Sequence, residues 1–258
     1  MNRFIEHLVE PQRLLLYWQA RESQQRSRFR VGQIVKRGEK VVLQYSAEHD
    51  MTQAKQMGFQ GHPAFPLQQE RHEHQVMEAF TRRLPPRSRR DFTRYMALRA
   101  IPEGAQLSDF ALLGYSGAKL PDDGFELVHP FDEPPEVFEI LIEIAGFRHE
   151  TEVKAETLKA GDSIRFVIEP DNSVDNDAIL IEHAGHKLGY VPRGHLDMFH
   201  RMLSQGANIS GEVFRINGSL ERPLIYVLTQ IAQSPLQKPA LMCASTSGGQ
   251  HEMANTKT

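Results

Sequence analysis

Residues 161–194 read GDSIRFVIEPDNSVDNDAILIEHAGHKLGYVPRG, and the character of the chain's second half follows from them. Ile164, Phe166 and Ile168 recur at the two-residue period of a strand with one buried face. Ala178 to Ile181 is a short buried run of a second strand. The turn between them is acidic and rich in amides. Pro170 fixes φ where the first strand ends, and Asp171, Asn172 and Asp175 are of the types that bond nearby backbone amides. Leu188-Gly189-Tyr190-Val191-Pro192-Arg193 closes the stretch, with Gly189 allowing close backbone approach.

Working outward, Phe138 to Ile144 alternates strictly, and Ile209–Ile216 and Leu224–Leu228 supply two more strands. Leu196, Phe199, Met202 and Leu203 share one face of a helix that Gly206 ends. Short strands with one helix predict a small, curled, barrel-like β domain. Toward the N-terminus, Leu14–Trp18, Phe29–Val35 and Val41–Tyr45 predict an antiparallel meander, with Lys36-Arg37-Gly38-Glu39 as a hairpin turn. Helices are expected over His74–Arg83, over Arg89–Arg99 with Ser88 as cap, and from Ser108 through Leu113 with Gly114 as the stop. The fold class is therefore α+β. Phe131-Asp132-Glu133-Pro134-Pro135 reads as a linker, since prolines keep a chain extended. The expected organisation is an α+β block over 1–130, a linker over 131–136, a β block over 137–231 and a disordered polar tail over 232–258.

The β block resembles the HIRAN domain over Val137 to Ile231. The resemblance is carried by Gly146-Phe147-Arg148, Gly161-Asp162, Glu169-Pro170-Asp171-Asn172, Asp175-x-Asp177-Ala178-Ile179 and the closing Leu188 to Arg193 segment. It implies a small β-rich module that binds nucleic acid and, in its best understood members, recognises the 3′ end of single-stranded DNA. By motif position it implies Arg148 as a phosphate or stacking contact and Asp175 as the carboxylate near the 3′-hydroxyl. Tyr190 and Arg193 would line the same side of the groove. A carboxylate accepts from a free hydroxyl and repels a phosphate. Pro170, Asn172, Ala178, Ile179 and Gly189 are read as scaffold. Three positions depart from the family pattern. His149 follows Arg148 where a tyrosine is expected, Val174 precedes Asp175 where tyrosine is common, and Leu220 occupies a late loop where another aromatic is expected.

The first block looks like the small N-terminal subdomain of HipA-type toxin kinases over Leu14 to Pro130, by the order of Leu15-Leu16-Tyr17-Trp18, Ala64-Phe65-Pro66 and Asp109 to Gly114. That resemblance implies packing beside a kinase half, but a β module follows instead, with no catalytic-loop pattern. Gly114-Tyr115-Ser116-Gly117-Ala118-Lys119 echoes the phosphate loop of those kinases without Walker A spacing, and a plain glycine-rich turn is the commoner explanation. Lys119 is kept as a candidate phosphate contact. So are Arg82, Arg83, Arg87, Arg89 and Arg90, the densest basic run in a chain of net charge -3. A mildly acidic protein has to meet nucleic acid through such a local patch.

The single cysteine, Cys243, excludes an intrachain disulfide, and no run approaches the length of a membrane span. The N-terminal residues lack a signal-peptide pattern, so a soluble cytoplasmic protein is expected. Pairs such as His72-x-His74 and His183-x2-His186 lack the spacing of a metal centre. The expectation is a non-enzymatic adaptor without metal or cofactor that binds DNA, single-stranded or at a 3′ end, through Arg148, His149, Asp175, Tyr190 and Arg193. Its first block would dock a partner protein or add phosphate contacts, and no membrane is involved. The alternative is a toxin–antitoxin-like regulator acting on a separate HipA-type kinase subunit. A third reading is an enzyme with its phosphate site at Gly114 to Lys119.

Overall fold

Leu14, Leu15, Leu16 and Tyr17 are all buried, as an apolar run without alternation requires of a strand covered on both faces. In the computed structural model, which describes residues 3–20, 28–46, 49–149, 153–219 and 221–233, they form the centre of β1 (Arg13–Gln19). There follow β2 (Arg28–Arg37), β3 (Lys40–Tyr45), α1 (His49–Gln56) and the short strands β4 (Gly61–His62), β5 (Phe65–Pro66) and β6 (Arg71–His72). Helices α2 (Val76–Thr81), α3 (Phe92–Ala97) and α4 (Asp109–Ser116) lead to β7 (Phe125–Val128). The first sheet has the order β6-β3-β2-β1-β7, so β1 lies between β2 and β7, and every pairing in it is antiparallel.

The second sheet is built from β8 (Val137–Glu143), β9 (Ser163–Ile168), β10 (Ile179–His183), β11 (His186–Tyr190), β12 (Asn208–Ser219) and β13 (Arg222–Ala232), with α5 (Arg193–Ser204) after β11. Its order is β11-β10-β9-β12-β13-β8, again antiparallel. A bridge between Ala145, just past β8, and Tyr190, at the end of β11, joins the two edges and curls the sheet toward a barrel. The α+β class, the meander and the barrel-like second half all agree with the sequence reading.

Several boundaries differ, each for a physical reason. Ser108 does cap α4, its hydroxyl accepting from the Ala111 N–H at 3.1 Å. The helix nevertheless runs through Gly114 and stops at Gly117, which has φ of 70°. Gly114 is a packing glycine: a Cβ there would lie 2.6 Å from Leu14 Cδ2. Ser88 caps nothing; α3 begins at Phe92, with Asp91 at its N-cap position. Helix α1 was not foreseen, because only Met51 and Ala54 of its eight residues are buried.

Phe131, expected in the linker, is fully buried and has φ of 49°. Its ring stacks between His129, at 3.8 Å, and Phe138, at 4.7 Å. One cluster of buried side chains runs through both sheets. Polar contacts reinforce the junction. The Glu139 carboxylate on β8 accepts from the Glu6 and His7 N–H groups at 3.1 and 3.0 Å. Arg201 on α5 donates to the Pro130 carbonyl at 2.8 Å. Burial alone would raise the Glu139 carboxyl, but donors from His7, Gln230 and Glu6 outweigh it and hold it below the usual range. Ala232, expected to open the tail, closes β13, and the Gln233 N–H donates to the Glu136 carbonyl. The rest of the expected tail, from residue 234, lies outside the described residues.

Candidate nucleic-acid interface

The β9–β10 connection is held from inside by one amide. Asn172 Oδ1 accepts from the Val174 and Asp175 N–H groups at 2.9 and 3.0 Å. Its Nδ2 donates to Glu169 Oε2 at 2.5 Å and to the Tyr190 hydroxyl at 2.9 Å. The Tyr190 hydroxyl donates in turn to Glu169 Oε2 at 2.9 Å. These donors from Asn172 and Tyr190 hold the Glu169 carboxyl below the ordinary carboxylate range. Asp175 closes the loop with an Asx turn, Oδ1 accepting from the Asp177 N–H at 3.0 Å. Sequence reading placed Asn172 in the scaffold and gave Glu169 no role. The Glu169-x2-Asn172 spacing just past β9 is the only local signal for both; Tyr190 reaches them from β11, two strands away across β10.

A second loop lies beside the first. Gly146, with φ of 82°, turns the chain out of β8 into a 3-10 turn over Phe147–His149. Phe147 anchors the turn in the core, while Arg148 and His149 are exposed. Arg148 Nε donates to His149 Nε2 at 3.0 Å, which places the ring proton on Nδ1 when the imidazole is neutral. The Ala145 and Tyr190 backbones exchange two hydrogen bonds of 2.9 Å. Only glycine fits beside this crossing: at Gly189, with φ of 136°, a Cβ would lie 2.4 Å from the Ala145 carbonyl oxygen. Arg148, His149 and Tyr190 are thus neighbours, and Asp175 is tied to Tyr190 through Asn172.

Arg193 is placed differently from the expectation. Its Nη2 lies 3.3 Å from Asp50 Oδ1 on α1, in the first half of the chain. Among the described residues its hydrogen-bonding partner is Asp50, not Tyr190. Lys187, which sequence reading did not assign, sits with Nζ 4.5 Å from the Tyr190 ring centroid and occupies one face of that ring. Val174 is 93% exposed, an apolar side chain at the tip of the Asp175 loop. Leu220 lies outside the described residues. Chemically, the pair of loops presents carboxylate acceptors from Glu169 and Asp175 beside the cations of Arg148 and Lys187.

The basic run of the first half is largely neutralised by its own neighbours. Arg82 pairs with Glu78 at 2.6 Å, Arg87 with Asp109 at 2.6 Å and Arg89 with Asp91 at 2.6 Å. The Arg83 side chain is only 4% exposed, paired with Asp123 and donating to the Ala118 carbonyl. Lys119 Nζ is 2.9 Å from Glu126 Oε1. Arg90 is exposed. Among the described residues, no group of three or more His, Cys, Asp or Glu side chains is arranged to hold a metal ion. No described helix is long and apolar enough to cross a membrane.

Residues 137–226 match the HIRAN domain family. Among solved structures, the HIRAN domain of human HLTF is similar at 15% identity, covering 37% of this chain and 75% of that one, with a TM-score of 0.31. A protein from Lactobacillus plantarum is similar at 19% identity, covering 38% of this chain and 99% of that one, with a TM-score of 0.33. No curated protein matches the chain. These comparisons give no support to the HipA resemblance of the first block.

Proposed function

We propose, from the HIRAN domain at residues 137–226, that this chain is a DNA-binding adaptor which engages single-stranded DNA at a 3′ end. The HIRAN domain is a nucleic-acid-binding domain. The observation that carries the finer reading is the fixed adjacency of two loops, the Arg148 turn and the Asp175 loop, both tied to Tyr190. In this reading Arg148 meets a backbone phosphate, with His149 as its hydrogen-bonded neighbour. Asp175 accepts from the terminal hydroxyl, and Glu169 fixes Tyr190 so that the groove is shaped before the strand arrives. Preorganisation of this kind lowers the ordering cost of binding. Arg193, engaged by Asp50, contributes by fastening α5 to the first half of the chain.

The reading is tested by titrating a labelled single strand with the full chain at several salt concentrations. Binding is expected to weaken linearly in log–log form as salt rises, because each neutralised phosphate releases counterions. Arg148→Ala is expected to weaken binding roughly tenfold and to lower the slope by about one contact. Unchanged affinity in Arg148→Ala would remove the groove from the account.

A further inference from the structure

A cleft of about 220 Å³ opens between the two halves of the chain, and none of Arg148, His149, Asp175 and Tyr190 is in its lining. Arg99, which follows α3, and Arg215, on β12, both line it. Each guanidinium lies flat against a tyrosine of its own half. Arg99 Cζ is 3.5 Å from the Tyr95 ring centroid, and Arg215 Cζ is 3.5 Å from that of Tyr226. Arg99 Nη1 donates to the Tyr95 carbonyl at 2.9 Å, and Arg215 Nε donates across the junction to the Leu98 carbonyl at 3.0 Å. Arg99 Nε and Arg215 Nη1 are buried and have no hydrogen-bond partner. Neither arginine has a carboxylate within ion-pair distance among the described residues. Burial, and the nearby charge of Arg215, push the Arg99 guanidinium down from its ordinary value.

Two like charges held together with unused donors are costly unless an anion joins them. The remaining charges on the cleft do not provide one. Lys119 and Glu126 are paired with each other, and burial keeps His195 neutral. Glu143 also lines the cleft and acts on the Tyr226 hydroxyl, which leaves two arginines facing one carboxylate. The volume holds a phosphate group with a few waters, each water taking about 30 Å³ in the liquid.

We propose that this junction cleft is a phosphate-binding site, in which Arg99 from one half and Arg215 from the other clamp a single phosphate group. The site does not depend on 3′-end recognition. A bound phosphate bridges the halves and stiffens the junction. Its source is either a free phosphorylated molecule or a DNA backbone phosphate outside the groove.

The test is isothermal titration of the full chain with inorganic phosphate against chloride of matched ionic strength, alongside amide exchange of the wild-type protein with and without phosphate. The expected result is saturable binding that falls roughly tenfold or more in Arg99→Gln and in Arg215→Gln and persists in Arg148→Ala. Amide exchange is expected to slow in β12, β13 and α3. Competition between phosphate and an oligonucleotide would identify the backbone as the source, and simultaneous binding would identify a free ligand. No saturable binding, or no change in exchange in the wild-type chain, would overturn the proposal even if a variant fails to fold. Loss of oligonucleotide binding with phosphate binding intact would count against the groove reading alone.

Discussion

The Tyr190 hydroxyl donates to Glu169 Oε2 at 2.9 Å, from the end of β11 to the residue just past β9. With the Asn172 amide bonded to both, this contact locks the Asp175 loop onto the strand that also carries the edge-joining bridge. Tyr190→Phe keeps the ring and removes the donor. Stability is expected to drop by about 1 kcal/mol, and the Glu169 carboxyl to rise toward its ordinary value. Denaturant unfolding and an NMR titration of the carboxyl check the two effects. An unchanged Glu169 titration would mean that Asn172 alone holds the carboxylate.

Gly189 sits at the close crossing of the Ala145 and Tyr190 backbones. Gly189→Ala drives a Cβ against the Ala145 carbonyl oxygen in a backbone conformation unfavourable to any side chain. A loss of roughly 2 kcal/mol or more is expected, with the Arg148 turn displaced and DNA binding weakened along with stability. Thermal unfolding and strand binding of the same sample measure both.

Val174 is exposed on the Asp175 loop, at a position where the HIRAN resemblance implies an aromatic. Val174→Tyr needs no repacking, because the side chain already lies outside the core. Base stacking contributes about 1–3 kcal/mol, so affinity for single strands is expected to rise roughly tenfold without a change in unfolding midpoint. Equal affinity of the variant and wild type would show that the strand does not pass this loop.

Folding stability should fall as pH drops below 7. Burial lowers His62, His129 and His195 to about 4 from the ordinary 6.5. Arg83 adds to the effect at His62. Between those values the unfolded chain binds protons that the folded chain refuses, so the stability these groups provide is complete above about pH 6.5 and is lost toward pH 4. Each contributes a slope of at most about 1.4 kcal/mol per pH unit. His129 has a direct structural reason to stay neutral, since its Nδ1 accepts from the Phe131 N–H at 2.9 Å. Denaturant midpoints at pH 7.5, 6 and 4.5 test this, and a flat profile would contradict it.

The strands of both sheets were legible because their apolar periods are local properties of the sequence. The HIRAN match over residues 137–226 was legible because the segments around Asp175 and Tyr190 are motifs with unusual spacing. What sequence reading misplaced was decided by contacts between distant residues. Phe131 looks like the start of a linker from its proline-rich neighbours, yet it is buried between His129 and Phe138. Arg193 looks like part of a groove from its motif, yet it faces Asp50, 143 residues away in the chain. The arginine run looks like a phosphate track because it has few acids next to it, yet Asp109 and Asp123 reach it from later segments. Arg99 and Arg215 carry no local signal at all, and only the packing of the two halves brings them together.

The central claim is that a carboxylate on the Asp175 loop reads a free 3′ end. The most direct measurement is fluorescence anisotropy of the full chain with two single strands that differ only in carrying a 3′-hydroxyl or a 3′-phosphate. The account predicts tighter binding to the hydroxyl end, with the preference abolished in Asp175→Ala. Equal binding to the two strands, or a preference that survives Asp175→Ala, would contradict it.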